Sequence, residues 1–284
     1  MKDLILFGDC RKTISTITEP VKMCVTSPPY YGLRDYGGED NQIGQENSPE
    51  EFVDQLVEVF RSVKEVLTDD GTLWLNIGDS YYNYRPGKGQ SYPKQSVSKT
   101  KQDLPDKCNK RGNKLQGLKE KDLIGIPWLL AFALRKDGWY LRQDIIWNKP
   151  NPMPESVKDR CTKSHEYIFL FSKSKNYYYD NESIKEPTKE GEATKNKRSV
   201  WTVNKKPYKG AHFATFPSEL IEPCIKAGSQ KGDIILDPFI GSGTTAMVAK
   251  SLGRHYIGCE LHESYNDLIQ NRVSQYTINL EDFV

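Results

Sequence analysis

The feature that most constrains this fold lies near residue 240, where a strand, a glycine-rich turn, a helix and a second strand follow one another. In chain order the segments are Asp233–Leu236, Gly241, Gly243, Ala246–Leu252 and Tyr256–Gly258. Short apolar runs joined through a helix are typical of parallel strands with a right-handed crossover. The C-terminal part of the chain is therefore predicted to form a parallel α/β unit.

A second unit of the same kind lies in the N-terminal part. Val21–Val25 is an apolar strand, and the helix that follows begins with Ser48 as its cap and Pro49 at its first position. An Asp-Gly pair at residues 70–71 is predicted to end this helix before the strand Thr72–Ile77. The two units together predict a doubly wound, mostly parallel sheet of the α/β class.

Other segments complete this sheet and its helices. Three further strands and two further helices are predicted: Leu4–Phe7, Tyr140–Trp147, Glu166–Phe171, Leu123–Arg135 and Pro217–Ala227. The strands Tyr140–Trp147 and Glu166–Phe171 could lie antiparallel, and Gly228 is predicted to stop the last helix. Residues 82–120 and 173–210 are polar and lack periodicity, which predicts two loop insertions.

Basic residues concentrate in these insertions, although the net charge of the chain is only +2. Basic clusters that also carry aromatic residues can bind a phosphate backbone and stack bases. The candidates for such contacts are Arg111, Lys195, Lys197, Arg198, Trp201 and Lys205. For either insertion taken alone, a solvated loop is the preferred interpretation.

The six cysteines and four histidines show no metal-binding pattern. The cysteines are scattered, and several lie in apolar runs, which is typical of buried, reduced thiols. We therefore expect no metal. No apolar run approaches the length of a membrane span, and Leu4–Phe7 follows the first residues without a signal peptide, so a cytoplasmic protein with no membrane partner is expected.

The glycine turn also suggests a ligand. Glycines before a helix allow backbone amides to approach an anionic group, and Glu260 after the next strand can accept hydrogen bonds from ribose hydroxyls. These residues indicate a pocket for an adenosine-containing cofactor. Gly243 is followed by Thr244 and not by lysine, which excludes a phosphate-cradling hydrolase. Residues 241–246 also fit the looser dinucleotide fingerprint, so an NAD dehydrogenase stays an alternative.

Ser27-Pro28-Pro29-Tyr30 favours a different chemistry. An exocyclic amine on a base is a poor nucleophile because its lone pair is delocalised into the ring. The Ser27 hydroxyl and the Pro28 carbonyl could each accept one amine hydrogen and localise the lone pair toward an electrophilic methyl group. Proline rigidity would hold these acceptors in place, and the Tyr30 ring could stack on the base.

These two motifs resemble those of a known family. Thr26–Tyr30 and Asp237–Gly243 look like the catalytic and cofactor motifs of the S-adenosylmethionine-dependent DNA amino-methyltransferases. The order, with the catalytic motif first, resembles the circularly permuted β class, which has a Rossmann-like fold. The resemblance implies a catalytic half at 1–81, a basic insertion at 82–120, core at 121–172, a target-recognition region at 173–210 and a cofactor half at 211–284.

The resemblance also implies roles for individual residues. Asp9 would lie near the adenine amine, Phe239 against the adenine ring, and Glu260 on the ribose. The segments around the methionine part of S-adenosyl-L-methionine would be Phe213–Pro217, which includes Thr215 and Pro217, and the turn that follows Asp237, which comprises Gly241, Ser242, Gly243, Thr244 and Thr245. Which threonine hydroxyl binds the methionine carboxylate is open at this point.

Ser27 in the first motif position resembles enzymes that methylate N4 of cytosine more than those that methylate N6 of adenine. The expected substrate is double-stranded DNA with the target base flipped out of the helix. Cytosine-C5 methylation would need a thiolate nucleophile, and Cys224 lies in a predicted helix as a structural thiol. A catalytically silent DNA-binding protein is a second alternative. The resemblance leaves open whether the chain forms a homodimer and whether a cognate restriction endonuclease accompanies it.

Overall fold

The computed structural model describes residues 2–32, 42–82, 115, 117–188, 191, 193–205 and 216–281, with side chains up to residue 274. The strands within these residues are, in chain order, β1 (Leu4–Phe7), β2 (Val21–Thr26), β3 (Leu67–Ile77), β4 (Tyr140–Asn148), β5 (His165–Ser172), β6 (Glu186–Pro187), β7 (Thr194–Lys195), β8 (Val200–Thr202), β9 (Ile234–Asp237) and β10 (His255–Glu260). β6 and β7 form a small separate pair, and the others form one sheet.

The large sheet has the strand order β1-β10-β9-β2-β3-β5-β4-β8. β5 runs antiparallel to both of its neighbours, and the other neighbouring strands are parallel. This arrangement confirms the predicted doubly wound, mostly parallel sheet and its antiparallel β4–β5 pair. β8 belongs to residues 173–210, so the second insertion contributes an edge strand to the main sheet.

Six helices cover the two faces of the sheet in the described part of the chain. They are α1 (Cys10–Thr13), α2 (Pro49–Val66), α3 (Ile126–Lys136), α4 (Ser218–Gly228), α5 (Thr244–Ser251) and α6 (Asn266–Glu281). The helices α1, α2 and α3 share one apolar core with the sheet, and α4, α5 and α6 share the other. The sheet is therefore buried on both faces, as parallel sheets generally are.

The direction of the chain reverses between β9 and β2. From β9 the chain passes through α5 to β10 on one side, and from β2 it passes through α2 to β3 on the other. β2 and β9 are neighbours in the sheet. Their carboxyl ends form a topological switch point, where α/β folds generally place their ligands.

The helix α2 begins where its capping residues predict. Ser48 Oγ accepts the Glu51 amide at 3.1 Å, while the Glu51 carboxylate reaches back to the Asn47 amide at 3.0 Å. The first contact satisfies an amide that the first helical turn leaves without an intrahelical partner, and the second holds the chain just before the cap. The apolar stripe that follows, which includes Phe52 and Phe60, is fully buried against the sheet.

The end of α2 was predicted wrongly. The helix ends at Val66, and β3 already begins at Leu67, so the Asp-Gly pair at 70–71 lies inside the strand. Leu67 pairs with Val21 and Thr72 with Met23, which leaves residues 68–71 as a bulge between the two pairs. An ion pair between Lys22 and Asp70 secures this bulge, and no local sequence signal separates it from a helix terminus.

Gly228 does not act as a left-handed stop after α4, because it is the last residue of the helix. A Cβ on Gly228 would lie 2.8 Å from Met23 Sδ and 3.0 Å from Trp74 Nε1. The absence of a side chain thus allows the helix to approach the sheet closely. Among the described residues, no helix combines the length and apolar character that crossing a membrane requires.

Candidate active site

The carboxyl ends of β2 and β9 open into one cavity. Ser27, Pro28, Pro29 and Tyr30 line one part of it. The remaining lining includes Gly8, Asp9, Phe216, Asp237, Phe239, Gly241, Ser242, Thr244, Glu260, His262 and Tyr265. The sheet therefore brings together two motifs that the sequence separates by some two hundred residues, as the methyl-transfer hypothesis requires.

Asp237 joins the two motifs through buried hydrogen bonds. Thr26 Oγ1 donates to Asp237 Oδ1 at 2.5 Å, and the Phe239 amide donates to the same oxygen at 3.0 Å. Burial raises the pKa of Asp237 to about 6, although its hydrogen bonds with Thr245, Thr26 and Phe239 lower it. Thr26 directly precedes Ser27, so Asp237 fixes the segment Ser27–Tyr30 relative to the glycine turn.

The glycine turn adopts backbone conformations that favour glycine. Gly241 and Gly243 have φ angles of 50° and 81°. A Cβ on Gly243 would lie 3.0 Å from Ile269 Cγ2 in α6. Ser242 Oγ also accepts a hydrogen bond from Arg272 Nη1 at 2.6 Å. The C-terminal helix α6 therefore packs directly against the turn.

Glu260 presents a partly buried carboxylate at the end of β10. Its Oε2 accepts the Gly241 amide at 3.1 Å, and its Oε1 accepts the His262 amide at 3.1 Å. Burial raises the pKa of Glu260 to about 7, while these amide hydrogen bonds act in the opposite direction. The two amides hold the carboxylate in place at the cavity wall.

The structure distinguishes the two threonines of the turn. Thr245 Oγ1 donates to Asp237 Oδ2 at 2.6 Å, and Thr245 is not part of the cavity lining. Thr244 lines the cavity, and its Oγ1 is buried without a hydrogen-bond partner among the described residues. Of the two sequence candidates, Thr244 thus carries the hydroxyl that a ligand can satisfy.

Of the other sequence candidates for the cofactor site, some line the cavity and one does not. Asp9 and Phe239 line the cavity. The Asp9 carboxylate accepts the Arg11 amide at 3.0 Å and forms an ion pair with the Arg11 guanidinium at 2.7 Å. Burial raises the pKa of Asp9, but these contacts outweigh that effect and leave it below its ordinary value. Pro217 is buried at the start of α4 and outside the lining, which contains its neighbour Phe216.

Tyr30 is held by groups that the sequence analysis did not identify. Tyr30 Oη donates to Glu166 Oε2 at 2.7 Å, and Glu166 forms an ion pair with Lys149. Gly78 lies beneath the ring, because a Cβ there would be 2.7 Å from Tyr30 Cε2. One signal could have revealed this cluster. Lys149 follows β4 and Glu166 lies near the start of the antiparallel β5, so both reach the sheet edge that carries Ser27.

His262 and Tyr265 were also missed as lining residues. They follow Glu260 within five positions of the chain, and this proximity was the signal available. His262 Nε2 is buried without a hydrogen-bond partner among the described residues. The His262 ring packs edge-on against Tyr265 with 6.2 Å between centroids.

The DNA-contact candidates need one correction. Trp201 is 6% exposed, and its Nε1 donates to the Arg198 carbonyl at 2.7 Å, so it is a core residue that cannot stack on a base. Arg198 pairs with Glu186 at 2.5 Å and is largely exposed. Lys197 lies 5.1 Å from the Trp201 ring centroid.

Two further basic candidates have described positions. Lys195 Nζ lies 3.8 Å from Glu186 Oε1. The amide of Lys205 donates to Asn151 Oδ1 at 2.9 Å, which ties it to the loop after β4. Arg111, Phe213 and Thr215 lie outside the described residues.

Cys224 has the environment of a structural thiol. It is fully buried in α4, its Sγ donates to the Leu220 carbonyl at 3.6 Å, and burial raises its pKa. It is not part of the cavity lining. Within the described residues, no cluster of three histidine, cysteine, aspartate or glutamate side chains could hold a metal ion.

Comparison with known proteins is consistent with this geometry. Residues 21–271 match the family N6_N4_Mtase, described as DNA methylase. The chain is 53% identical to Type II methyltransferase M.Cfr9I of Citrobacter freundii over 92% of this chain and 83% of the relative. It is 51% identical to Type II methyltransferase M.SmaI of Serratia marcescens over 95% of this chain and 90% of the relative.

Two solved structures share the fold. The PvuII DNA methyltransferase (cytosine-N4-specific) matches with a TM-score of 0.68 and 19% identity over 96% of this chain and 89% of that chain. TTHA0409 from Thermus thermophilus, complexed with S-adenosyl-L-methionine, matches with a TM-score of 0.65 and 24% identity over 96% of this chain and 93% of that chain.

The family match covers more than half of the chain, and the first two relatives exceed half identity over nearly all of it. Because of these matches, an NAD dehydrogenase is no longer an alternative for this chain. The cavity that the serine–diproline corner shares with the glycine turn is consistent with this family assignment. The chain belongs to the N6/N4 family of DNA methylases, the S-adenosylmethionine-dependent amino-methyltransferases that act on DNA.

Proposed function

We propose that this enzyme methylates the N4 amine of a cytosine in double-stranded DNA after the base has been flipped out of the helix. The observation that carries the proposal is that Ser27–Tyr30 and the glycine turn line one cavity. Ser27 and the Pro28 carbonyl accept the amine hydrogens, and the Tyr30 ring receives the base plane. When bound, S-adenosylmethionine supplies an electrophilic methyl group.

The residues of the cavity fit this cofactor. Thr244 offers a buried hydroxyl with no partner among the described residues, and Glu260 offers a fixed carboxylate. In this proposal Glu260 accepts the ribose hydroxyls, Thr244 donates to the methionine carboxylate, and Phe239 packs on the adenine. The first turn of α5 has no side-chain cap, so its amides are suited to the same carboxylate. Asp9, Phe213 and Thr215 keep the roles that the resemblance implies.

The two threonines make a matched pair for testing this assignment. We expect Thr244→Val to weaken S-adenosylmethionine binding about tenfold, because one hydrogen bond to a charged group is lost. Thr245→Val should instead lower the free energy of unfolding by about 1–3 kcal/mol, because it leaves Asp237 Oδ2 without its donor. Calorimetric titration and thermal unfolding of both variants check this. Weaker binding in Thr245→Val than in Thr244→Val would contradict the assignment.

Cofactor binding should depend on pH through Glu260. The ribose hydroxyls donate to the ionised carboxylate, and burial raises the pKa of Glu260 to about 7 before the cofactor binds. The affinity for the cofactor should therefore be highest above about pH 8. Below pH 7 it should decrease with falling pH, by up to about tenfold per pH unit. Asp237, with a pKa raised to about 6, titrates in a more acidic range. Calorimetry from about pH 6 to about pH 8.5 measures the slope, and Glu260→Gln should flatten it. An unchanged slope in that variant would assign the dependence elsewhere.

The choice of cytosine N4 rests on Ser27. The resemblance associates serine at this position with cytosine-N4 enzymes, and the solved PvuII structure with this fold is titled cytosine-N4-specific. Adenine N6 is the alternative, because both amines need the same pair of acceptors. DNA sequencing by polymerase kinetics, after expression of the chain in a host that lacks methylation, identifies the base and its site. A modified adenine would reject the N4 assignment and leave amino methylation intact.

Partner contacts follow from the same proposal. Arg198, Lys195, Lys197, Lys205 and Arg111 are candidates for the DNA surface, with lysines on phosphates and Arg198 as a reader of guanine. The curated relatives named above are Type II methyltransferases, which favours a cognate restriction endonuclease beside this chain.

A further inference from the structure

We propose that Glu166 and Lys149 are positioning residues, and that their buried ion pair holds the Tyr30 hydroxyl and so fixes the ring that receives the target base. The inference deepens the proposed function and rests on it. Neither residue lines the cavity. Their effect on methyl transfer therefore passes through Tyr30.

Tyr30 is held at two points. Its hydroxyl donates to Glu166 Oε2 at 2.7 Å, and its ring lies on Gly78, where a Cβ would be 2.7 Å from Cε2. The contact with Gly78 fixes the distance between the ring and the backbone that follows β3. The hydrogen bond restricts rotation of Tyr30 about its Cα–Cβ bond. An exposed tyrosine would populate other staggered rotamers, so these constraints preorganise the stacking surface.

The ion pair itself is rigid. Glu166 pairs with Trp147 across the antiparallel β4–β5 ladder, and the Lys149 amide donates to the Ser164 carbonyl at 2.8 Å. Lys149 Nζ also lies 4.2 Å from the centroid of the Trp147 ring. Glu166 is thus held within β5, and Lys149, the first residue after β4, is held by a backbone hydrogen bond to the residue before β5.

The burial of this pair suggests a role other than stability. The Lys149 and Glu166 side chains are 7% and 15% exposed. Burial lowers the pKa of Lys149, although Glu166 opposes the shift. Buried ion pairs are often no more stabilising than apolar pairs of similar volume. Lys149 is also too enclosed to contact a DNA phosphate, so its use is the orientation of Glu166.

The decisive variant removes both charges together. Lys149→Met/Glu166→Leu avoids an unpaired buried charge, so we expect a thermal midpoint close to that of the wild type. Binding of S-adenosylmethionine should be unchanged. The single-turnover methylation rate, with plasmid DNA and S-adenosylmethionine both saturating, should fall at least about tenfold. Tyr30→Phe should cause a similar fall in rate. The triple variant that combines Tyr30→Phe with Lys149→Met/Glu166→Leu should be no slower than the double variant.

A second variant covers the case in which the double variant fails to fold. Glu166→Gln keeps the size of the side chain, but its amide can offer an oxygen to Tyr30 or to Lys149 and not fully to both. Its rate loss should not add to that of Tyr30→Phe. Glu222→Gln, which removes an exposed ion pair of 2.7 Å with Lys226 on α4, is the matched control and should keep the wild-type rate.

The outcomes separate this inference from the proposed function. Full single-turnover rate in the double variant, or additive losses in Tyr30→Phe and Glu166→Gln, would overturn the positioning role. If the wild type and Glu222→Gln transfer no methyl group to DNA although they bind S-adenosylmethionine, the proposed function fails instead. A fall in rate with unchanged cofactor affinity and unchanged thermal midpoint supports the inference.

Discussion

Replacing Ser27 by alanine should lower the rate of methyl transfer about 10²- to 10³-fold while S-adenosylmethionine binds with unchanged affinity. Ser27 contributes the side-chain member of the acceptor pair, and the loss of one preorganised polar group in an active site generally has an effect of this size. The backbone of Ser27 is positioned before substrate arrives, because Thr26 is hydrogen-bonded to the buried Asp237 and the rigid Pro28 follows directly. Single-turnover methylation and calorimetric titration of the cofactor measure the two quantities.

The control for this variant is Ser62→Ala. Ser62 lies on α2, where its Oγ contacts the Glu58 carbonyl at 3.4 Å, and it is not part of the cavity lining. We expect wild-type rate and wild-type affinity in this variant. Undiminished transfer by Ser27→Ala would refute the acceptor role of the hydroxyl. A parallel loss of cofactor affinity would show instead that Ser27 helps to hold the cofactor.

Much of the fold could be predicted because its signals are local. The capping residues of α2 determine where that helix begins, and the crossover rule for parallel strands gives the placement of β2 beside β3. The meeting of the two motifs was predictable from topology, since both follow strands that end at the same edge of the sheet. The resemblance supplied the identity of the ligand, which periodicity could not provide.

The residues that the sequence left open, assigned wrongly or did not reveal are residues whose roles depend on long-range partners. Thr244 and Thr245 are chemically identical neighbours, and only their positions relative to Asp237 separate them. Trp201 lies in a basic segment that resembles a DNA surface, but its strand adds to the sheet edge and buries the ring. Glu166 contacts Tyr30 across 136 residues of sequence, so the contact itself has no local sequence signal. These roles depend on contacts that only the folded chain forms.

Asp237 illustrates why the two motifs function as one site. The strands β2 and β9 are held together by backbone pairing at Met23 and Cys24, which leaves their carboxyl ends to be joined by side chains. Thr26 and Thr245 both donate to the Asp237 carboxylate, one from each motif. Beyond the strand pairing, the position of Ser27–Tyr30 relative to the glycine turn therefore depends on this one buried carboxylate.

Replacing Gly243 by alanine should weaken S-adenosylmethionine binding by more than tenfold. Gly243 has a φ of 81°, a conformation that costs an L-residue about 1–2 kcal/mol, and the added methyl group would lie 3.0 Å from Ile269 Cγ2. Because α6 also holds Ser242 through Arg272, the turn cannot move away from Ile269 without losing that contact. The displacement should therefore reach Thr244 and the cofactor site.

Gly253→Ala is the matched control for this prediction, because Gly253 flanks the other end of α5 with a φ of 71°. The nearest atom that a Cβ there would meet is Lys231 Cγ at 3.6 Å, on a flexible side chain. Both variants should lose about 1–2 kcal/mol of unfolding free energy, which thermal unfolding measures. Calorimetry should show the loss of cofactor affinity in Gly243→Ala alone. Equal affinities in the two variants would mean that strain in the turn does not reach the cofactor, and the bracing role of α6 would then be wrong.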